Sequence, residues 1–167
     1  MARFIHLTDE RLLARLKKSG IRMSFWGREK LRCVYAVPVL PDFQVSYQWL
    51  RELKNRGVRT MGALHFKIPD GEEVLVGRFS EEPVAMTAAQ AVRVFMEHPT
   101  GMGLQVLVRR RIEAKEITRT YVPPQIVGWR YYPEAHGKPP FCGCEFCQRG
   151  LIKNRKLREK YRAENPG

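Results

Sequence analysis

The sequence predicts an α+β fold: a sheet with short helices, followed by a basic extension. Three observations predict it. Strand-like segments outnumber helical ones, the helices fall early instead of alternating with every strand, and no internal repeat is present. The 167 residues suffice for one main domain with a real core. That domain is expected over residues 1–132, with residues 133–167 as an extension packed on it.

The chain opens on a strand over 2–7 that turns directly into a helix. Thr8 is the expected N-cap, because its hydroxyl can accept from a free helix N–H. Asp9 and Glu10 then sit at the positive end of the helix dipole. Leu12, Leu13 and Leu16 form one apolar stripe, and Gly20 is the expected stop. Residues 21–32 read as a basic connector. The next strand, over 33–39, is apolar enough to be buried, and Pro38 marks an edge or an end. A helix over 42–55, capped by Asp42 or Ser46, carries Tyr47, Leu50, Leu53 and Lys54 on one side, with Gly57 closing it.

Segments 60–68 and 73–79 are expected to pair as a hairpin around Pro69-Asp70-Gly71, where proline presets φ and glycine accepts a positive one. Thr87-Ala-Ala-Gln90 is a capping box that opens a helix ending at Glu97, before Pro99. Val92, Val94, Phe95 and Met96 are its expected core residues. Residues 104–109 form a strand with Leu104, Val106 and Val108 on one face and Gln105 and Leu107 on the other. Two short strands, 118–122 and 126–131, follow around Pro123-Pro124.

Thirty Lys and Arg oppose 17 Asp and Glu, for a net charge of +13. Such a field draws polyanions, nucleic acid first and anionic membrane second. No apolar run approaches the roughly 20 residues of a membrane helix, and no signal peptide precedes the first strand. A cytoplasmic chain without a membrane partner is expected, and its oligomeric state is left open.

Four cysteines in such a chain argue against a disulfide framework. Cys142, Cys144 and Cys147 instead have the spacing of a tetrahedral thiolate knuckle, with His136 as the natural fourth ligand and Cys33 as the alternative. A closed set of four predicts structural zinc. Beyond it, Arg149, Lys153, Arg155, Lys156, Arg158 and Lys160, interleaved with Leu151, Ile152 and Leu157, suit a basic helix that binds phosphates. A merely solvated charged face is the plainer reading. Trp129-Arg130-Tyr131-Tyr132 suits packing of the staple or a stacking platform for bases.

Three short motifs recur in a recognisable order: His6-Leu7-Thr8 with Gly20-Ile21, Tyr35 in Val34-Tyr35-Ala36, and Gln105 in Leu104-Gln105-Val106 followed by Ile112 and Ile117. In order and spacing, over residues 2–121, they resemble the ADP-ribosyltransferase-like family. The clade concerned carries His, then Tyr, then Glu, Asp or Gln on three strands. The resemblance implies a split β-sheet that clamps NAD in its cleft. It places His6 on the NAD ribose, with Thr8 beside it, and Tyr35 on the nicotinamide ring. Tyr47 and Trp49 would supply the second stacking face, and Gln105 would hold the nicotinamide ribose hydroxyl. An imidazole can donate and accept, and aromatic rings favour a cationic π-face.

Gln105 departs from the commoner glutamate: an amide brings no negative charge opposite a developing cation. Glu113 or Glu116, a turn further on, is the candidate source of that charge. Two function classes follow. One is an ADP-ribosyltransferase-like enzyme with a nucleic-acid acceptor, similar in outline to the DNA-modifying toxin transferases. Transfer to an RNA 2′-phosphate needs a second histidine and arginines in a pattern that His65 and His98 do not reproduce. The other is a non-enzymatic, zinc-stapled nucleic-acid-binding module, with His6, Tyr35 and Gln105 as plain sheet residues. A nuclease lacks paired acids at a metal-binding spacing.

Overall fold

Chain order in the computed structural model begins with β1 (Ala2–Asp9), a 3₁₀ turn (Glu10–Leu12) and α1 (Leu13–Ser19). Then come β2 (Ser24–Phe25), β3 (Arg32–Pro38), α2 (Phe43–Ser46) and α3 (Leu50–Lys54). Next are β4 (Met61–Ile68), β5 (Glu73–Arg78), β6 (Val84–Thr87) and α4 (Ala88–Glu97). The series closes with β7 (Leu104–Val108), a second 3₁₀ turn (Ala114–Glu116) and β8 (Ile117–Tyr121). The structure describes residues 1–25, 31–54, 57–79, 81–99 and 101–125, with Glu159 and Ala163 besides. Two compact units divide the chain, Met1–Arg130 and Tyr131–Gly167. The expected strand over 126–131 lies outside the described residues. So do the proposed metal ligands His136, Cys142, Cys144 and Cys147, and the basic residues Arg149, Lys153, Arg155, Lys156, Arg158 and Lys160.

The fold is α+β, with every described strand pairing antiparallel. The order across the sheet is β6-β5-β7-β3-β1-β4-β8, with β2 attached to β3. One face carries the main core: Phe4, Val34, Ala36, Leu64, Phe66, Ile68, Val74, Val76 and Val106, closed by Ala88, Ala91 and Phe95 of α4. Phe4 and Phe66 sit opposite each other with ring centroids 5.9 Å apart, and burial of each ring contributes about 1.5–3 kcal/mol. Gly62 lets α1 approach, since a Cβ there would lie 2.6 Å from Leu13 Cδ1. No helix among the described residues is long and apolar enough to cross a membrane.

The capping box forms as expected: Thr87 Oγ1 accepts from Gln90 N–H, and the Gln90 amide oxygen accepts from Thr87 N–H. Elsewhere the structure corrects the sequence. Thr8 stays in β1 opposite Gly62, and Asp9 caps the helical segment by accepting from Arg11 N–H at 2.9 Å. Met96 is 63% exposed, because it follows Phe95 by 100° of helix rotation and Phe95 takes the sheetward place. The helix expected over 42–55 breaks into α2 and α3. Between them the buried Gln48 side chain donates to Val45 O and Gly101 O and accepts from Gly103 N–H.

β4 and β5 do not pair. The Pro69–Glu72 turn forms, with Glu72 N–H on Pro69 O, but its strands diverge: β4 runs between β1 and β8, and β5 between β7 and β6. Both strands are mostly buried, which suits an interior position. Asp70 O and Glu72 O accept from the first N–H groups of α4, so the turn is tied to that helix.

Candidate functional site

The sheet is nearly two sheets. β1, β4 and β8 form one half, and β3, β7, β5 and β6 the other. They are joined at Phe4↔Pro38 and Ile5↔Val37, with Val39 N–H on Arg3 O. Beyond Ile5 the ladder between β1 and β3 stops, leaving a seam.

Pro38 helps to define one end of it. In an antiparallel ladder successive residues alternate the side to which their N–H and C=O point. The Val39–Arg3 bond assigns the odd residues of β3 to β1, so Pro38 faces β7, where it has no N–H to offer. The β3–β7 ladder accordingly ends at Ala36↔Val106. Leu104 O, which Pro38 cannot serve, accepts from Trp49 Nε1–H at 2.9 Å.

The same alternation points Tyr35 O across the seam at β1. No ladder N–H meets it; instead His6 Nδ1 lies 2.8 Å away, and since a carbonyl only accepts, Nδ1–H donates. This bond fixes the tautomer. His6 Nε2 is then a lone-pair acceptor without a partner among the described residues. Burial pushes the His6 pKa below the ordinary imidazole value of 6.5, against the smaller upward pull of the Tyr35 carbonyl, so the ring is neutral. Leu7, next along β1, turns its N–H and C=O toward the seam by the same alternation.

Tyr35 and Gln105 share the opposite face of the second half. Tyr35 stands opposite Leu107, two residues from Gln105 on β7, and both are half-buried. The structure thus brings His6 to Tyr35 by a direct bond and Tyr35 to Gln105 by strand adjacency. Gln48 and Trp49 hold the chain immediately before Gln105. No local motif marks Gln48, which the sequence reading missed; its amide serves residues more than 50 positions away.

The other expected residues sit elsewhere. Tyr47 is 3% exposed, packed with Ile5 and Ala63, and offers no open ring face for stacking. The Tyr121 hydroxyl donates to the Tyr47 hydroxyl, which also hydrogen-bonds His65 Nε2 at 2.8 Å. Burial and the Tyr121 hydroxyl push the Tyr47 phenol well above its ordinary value. Burial, then the charge of Arg119, lowers His65. Trp49 packs near Phe79 at 5.7 Å and spends its N–H on Leu104 O. Thr8 is half-buried in β1.

Neither Glu113 nor Glu116 is a reserve of charge. Arg111 Nε lies 2.8 Å from Glu113, and Arg110 holds Glu116 at 2.6 Å and Glu72 at 2.8 Å. Arg110 keeps the Glu116 carboxyl below the usual carboxylate range. Cys33 is fully buried beside Leu75 and Leu107. Groups of three or more metal-ligating side chains are absent among the described residues.

The two neutral histidines predict a pH response. The unfolded chain titrates near 6.5 and the folded histidines lower, so their contribution is complete above that value and is lost as pH falls through the folded values. The melting temperature should therefore fall as pH drops below about 6.5, and His6→Gln/His65→Gln should flatten that fall. A flat wild-type profile would contradict the neutral assignment of these half-buried rings.

No protein-family model, curated protein or solved structure matches the chain.

Proposed function

We propose that the chain is an ADP-ribosyltransferase-like enzyme that binds NAD at the seam and modifies a nucleic-acid acceptor. The observation that carries this reading is the His6–Tyr35 bond across the split sheet. It leaves a fixed, neutral Nε2 acceptor where a ribose hydroxyl can donate. Leu7 N–H and C=O, turned toward the seam beside it, match the acceptor and donor of a carboxamide. Tyr35 offers a ring for a cationic nicotinamide, and the Gln105 amide can hold a second hydroxyl. When bound, NAD supplies an electrophilic ribose carbon. The chain's own residues bind, orient and exclude water around it.

The neutral Gln105 and the ion-paired Glu113 and Glu116 favour a second reading, a nucleic-acid-binding module without transferase activity. Incubation of the purified chain with labelled NAD and separate DNA, RNA and protein acceptors separates the two. Label on a nucleic acid supports the enzyme. If NAD labels nothing and leaves the melting temperature unchanged, the binding module replaces it.

We assign a structural zinc to His136, Cys142, Cys144 and Cys147, and phosphate contacts to Arg149, Lys153, Arg155, Lys156, Arg158 and Lys160, on the residue types and spacing alone. Cys144→Ser should release the metal and lower the melting temperature. Retention of both, measured by metal content and thermal melt, removes the knuckle.

A further inference from the structure

We propose that one face of the β1–β4–β8 half-sheet is a track for a single nucleic-acid strand; the nucleic-acid part of the proposed function underlies this. Arg3 and Lys67 stand directly opposite each other across β1 and β4. The next pair on that face is Ile5↔His65, with Ile5 buried in the cluster with Tyr47, and Arg119 of β8 stands opposite His65, so the cations flank this covered centre. Three cations therefore share one face of three adjacent strands. Side chains directly opposite each other in a sheet lie about 5 Å apart, and like charges there destabilise it.

None of the three forms an ion pair with an acid among the described residues. Asp70, just past the end of β4, carries a carboxylate already bound to the Met1 ammonium. The contrast with Arg109, Arg110 and Arg111 is direct. That run looks like a basic patch in sequence, yet Glu73, Glu72 with Glu116, and Glu113 neutralise it. The sheet-face cations have no such compensation among the described residues, and a phosphate backbone would supply it.

Aromatic rings adjoin them. The Arg119 guanidinium lies 4.4 Å from the Tyr121 ring centroid, and Tyr121 meets Tyr47 edge-on at 6.0 Å. Phe43, 38% exposed, packs on Tyr47 with centroids 4.3 Å apart. Phe43 thus reaches Arg119 only through Tyr47 and Tyr121, and such an exposed ring on the same aromatic cluster suits unpaired bases, which have faces to stack; the bases of a duplex have none free.

Fluorescence anisotropy of the full chain with labelled 12-nucleotide single strands, DNA and RNA, and with the same sequence as a duplex, tests this over a range of salt. The single strand should bind more tightly than the duplex. Arg3→Gln/Lys67→Gln/Arg119→Gln should weaken it about 10-fold or more near physiological salt, and reduce the log–log salt slope by about 2. Arg3→Gln/Arg119→Gln, confined to exposed side chains, should give a proportionate part of both effects with folding intact. Phe43→Ser should weaken binding about fivefold and leave the slope unchanged. Unchanged affinity and slope in the charge variants, or tighter binding of the duplex, overturns the track. Binding is read without NAD, so that failure leaves the transferase reading standing. Loss of label transfer with strand binding intact counts against the transferase alone.

Discussion

On the proposed transferase reading, His6→Ala should abolish NAD-dependent labelling and leave a folded chain. Two losses combine at the seam. Nε2 no longer accepts from a ligand hydroxyl, and Tyr35 O loses the donor that replaces the missing ladder N–H. The first weakens NAD binding directly. The second removes the bond that ties β3 to β1 at this point, costing about 1–3 kcal/mol of stability. Phe4, Phe66, Val106 and α4 are untouched, so the chain still folds cooperatively. Tyr35→Ala should act through the ring instead, removing a stacking contact worth about 1–3 kcal/mol. Titration with NAD, followed by melting temperature and by label transfer, should show affinity falling roughly 100-fold or more in the double variant. His6→Gln separates the roles, since its amide can restore the bond to Tyr35 O and hence stability. If His6→Ala labels its acceptor as well as wild type does, His6 is an ordinary strand residue.

The second large effect is structural. Gly20→Ala should lose about 3 kcal/mol or more and lower the melting temperature by roughly 10 °C. Gly20 has φ 80° and ψ 176°, a conformation almost confined to glycine. An added Cβ would also lie 2.3 Å from Ile112 O, far inside contact distance. That carbonyl accepts from Ile21 N–H, and Ile112 N–H returns a bond to Ile21 O. The clash therefore falls on the bridge that ties the end of α1 to the chain after β7. Gly57→Ala is the control: φ is 86° there, and its Cβ would meet nothing within 4 Å, so it isolates the backbone cost. If the two variants melt alike, the close approach at Gly20 carries no energy of its own.

Gly20 also illustrates what was legible. As a helix stop it can be read from the leucine stripe before it; its partner across the bridge, Ile112, cannot. The same division runs through the candidate site. His6, Tyr35 and Gln105 stand out by order along the chain. That His6 donates to Tyr35 O follows only from where the β1–β3 ladder ends. Tyr47 and Trp49 looked available because aromatic residues on a short helix are indistinguishable in sequence whether they stack on a ligand or fill a core. Tyr47 packs with Ile5 and Ala63, and Trp49 packs against the main core and Phe79.

By itself the sequence determined what depends on neighbours a few residues apart: the α+β class, the Thr87–Gln90 box, the alternation of β7 and the strand end at Pro38. Tertiary structure alone decided which strands pair, so that the apparent hairpin of β4 and β5 was divided between two half-sheets. It also decided which charges are cancelled, neutralising the arginine run after β7 and leaving Arg3, Lys67 and Arg119 together. Capping, alternation and proline's missing donor act within a turn or two of chain. Ladder register and charge compensation are set by residues tens of positions apart, which meet only when the sheet closes.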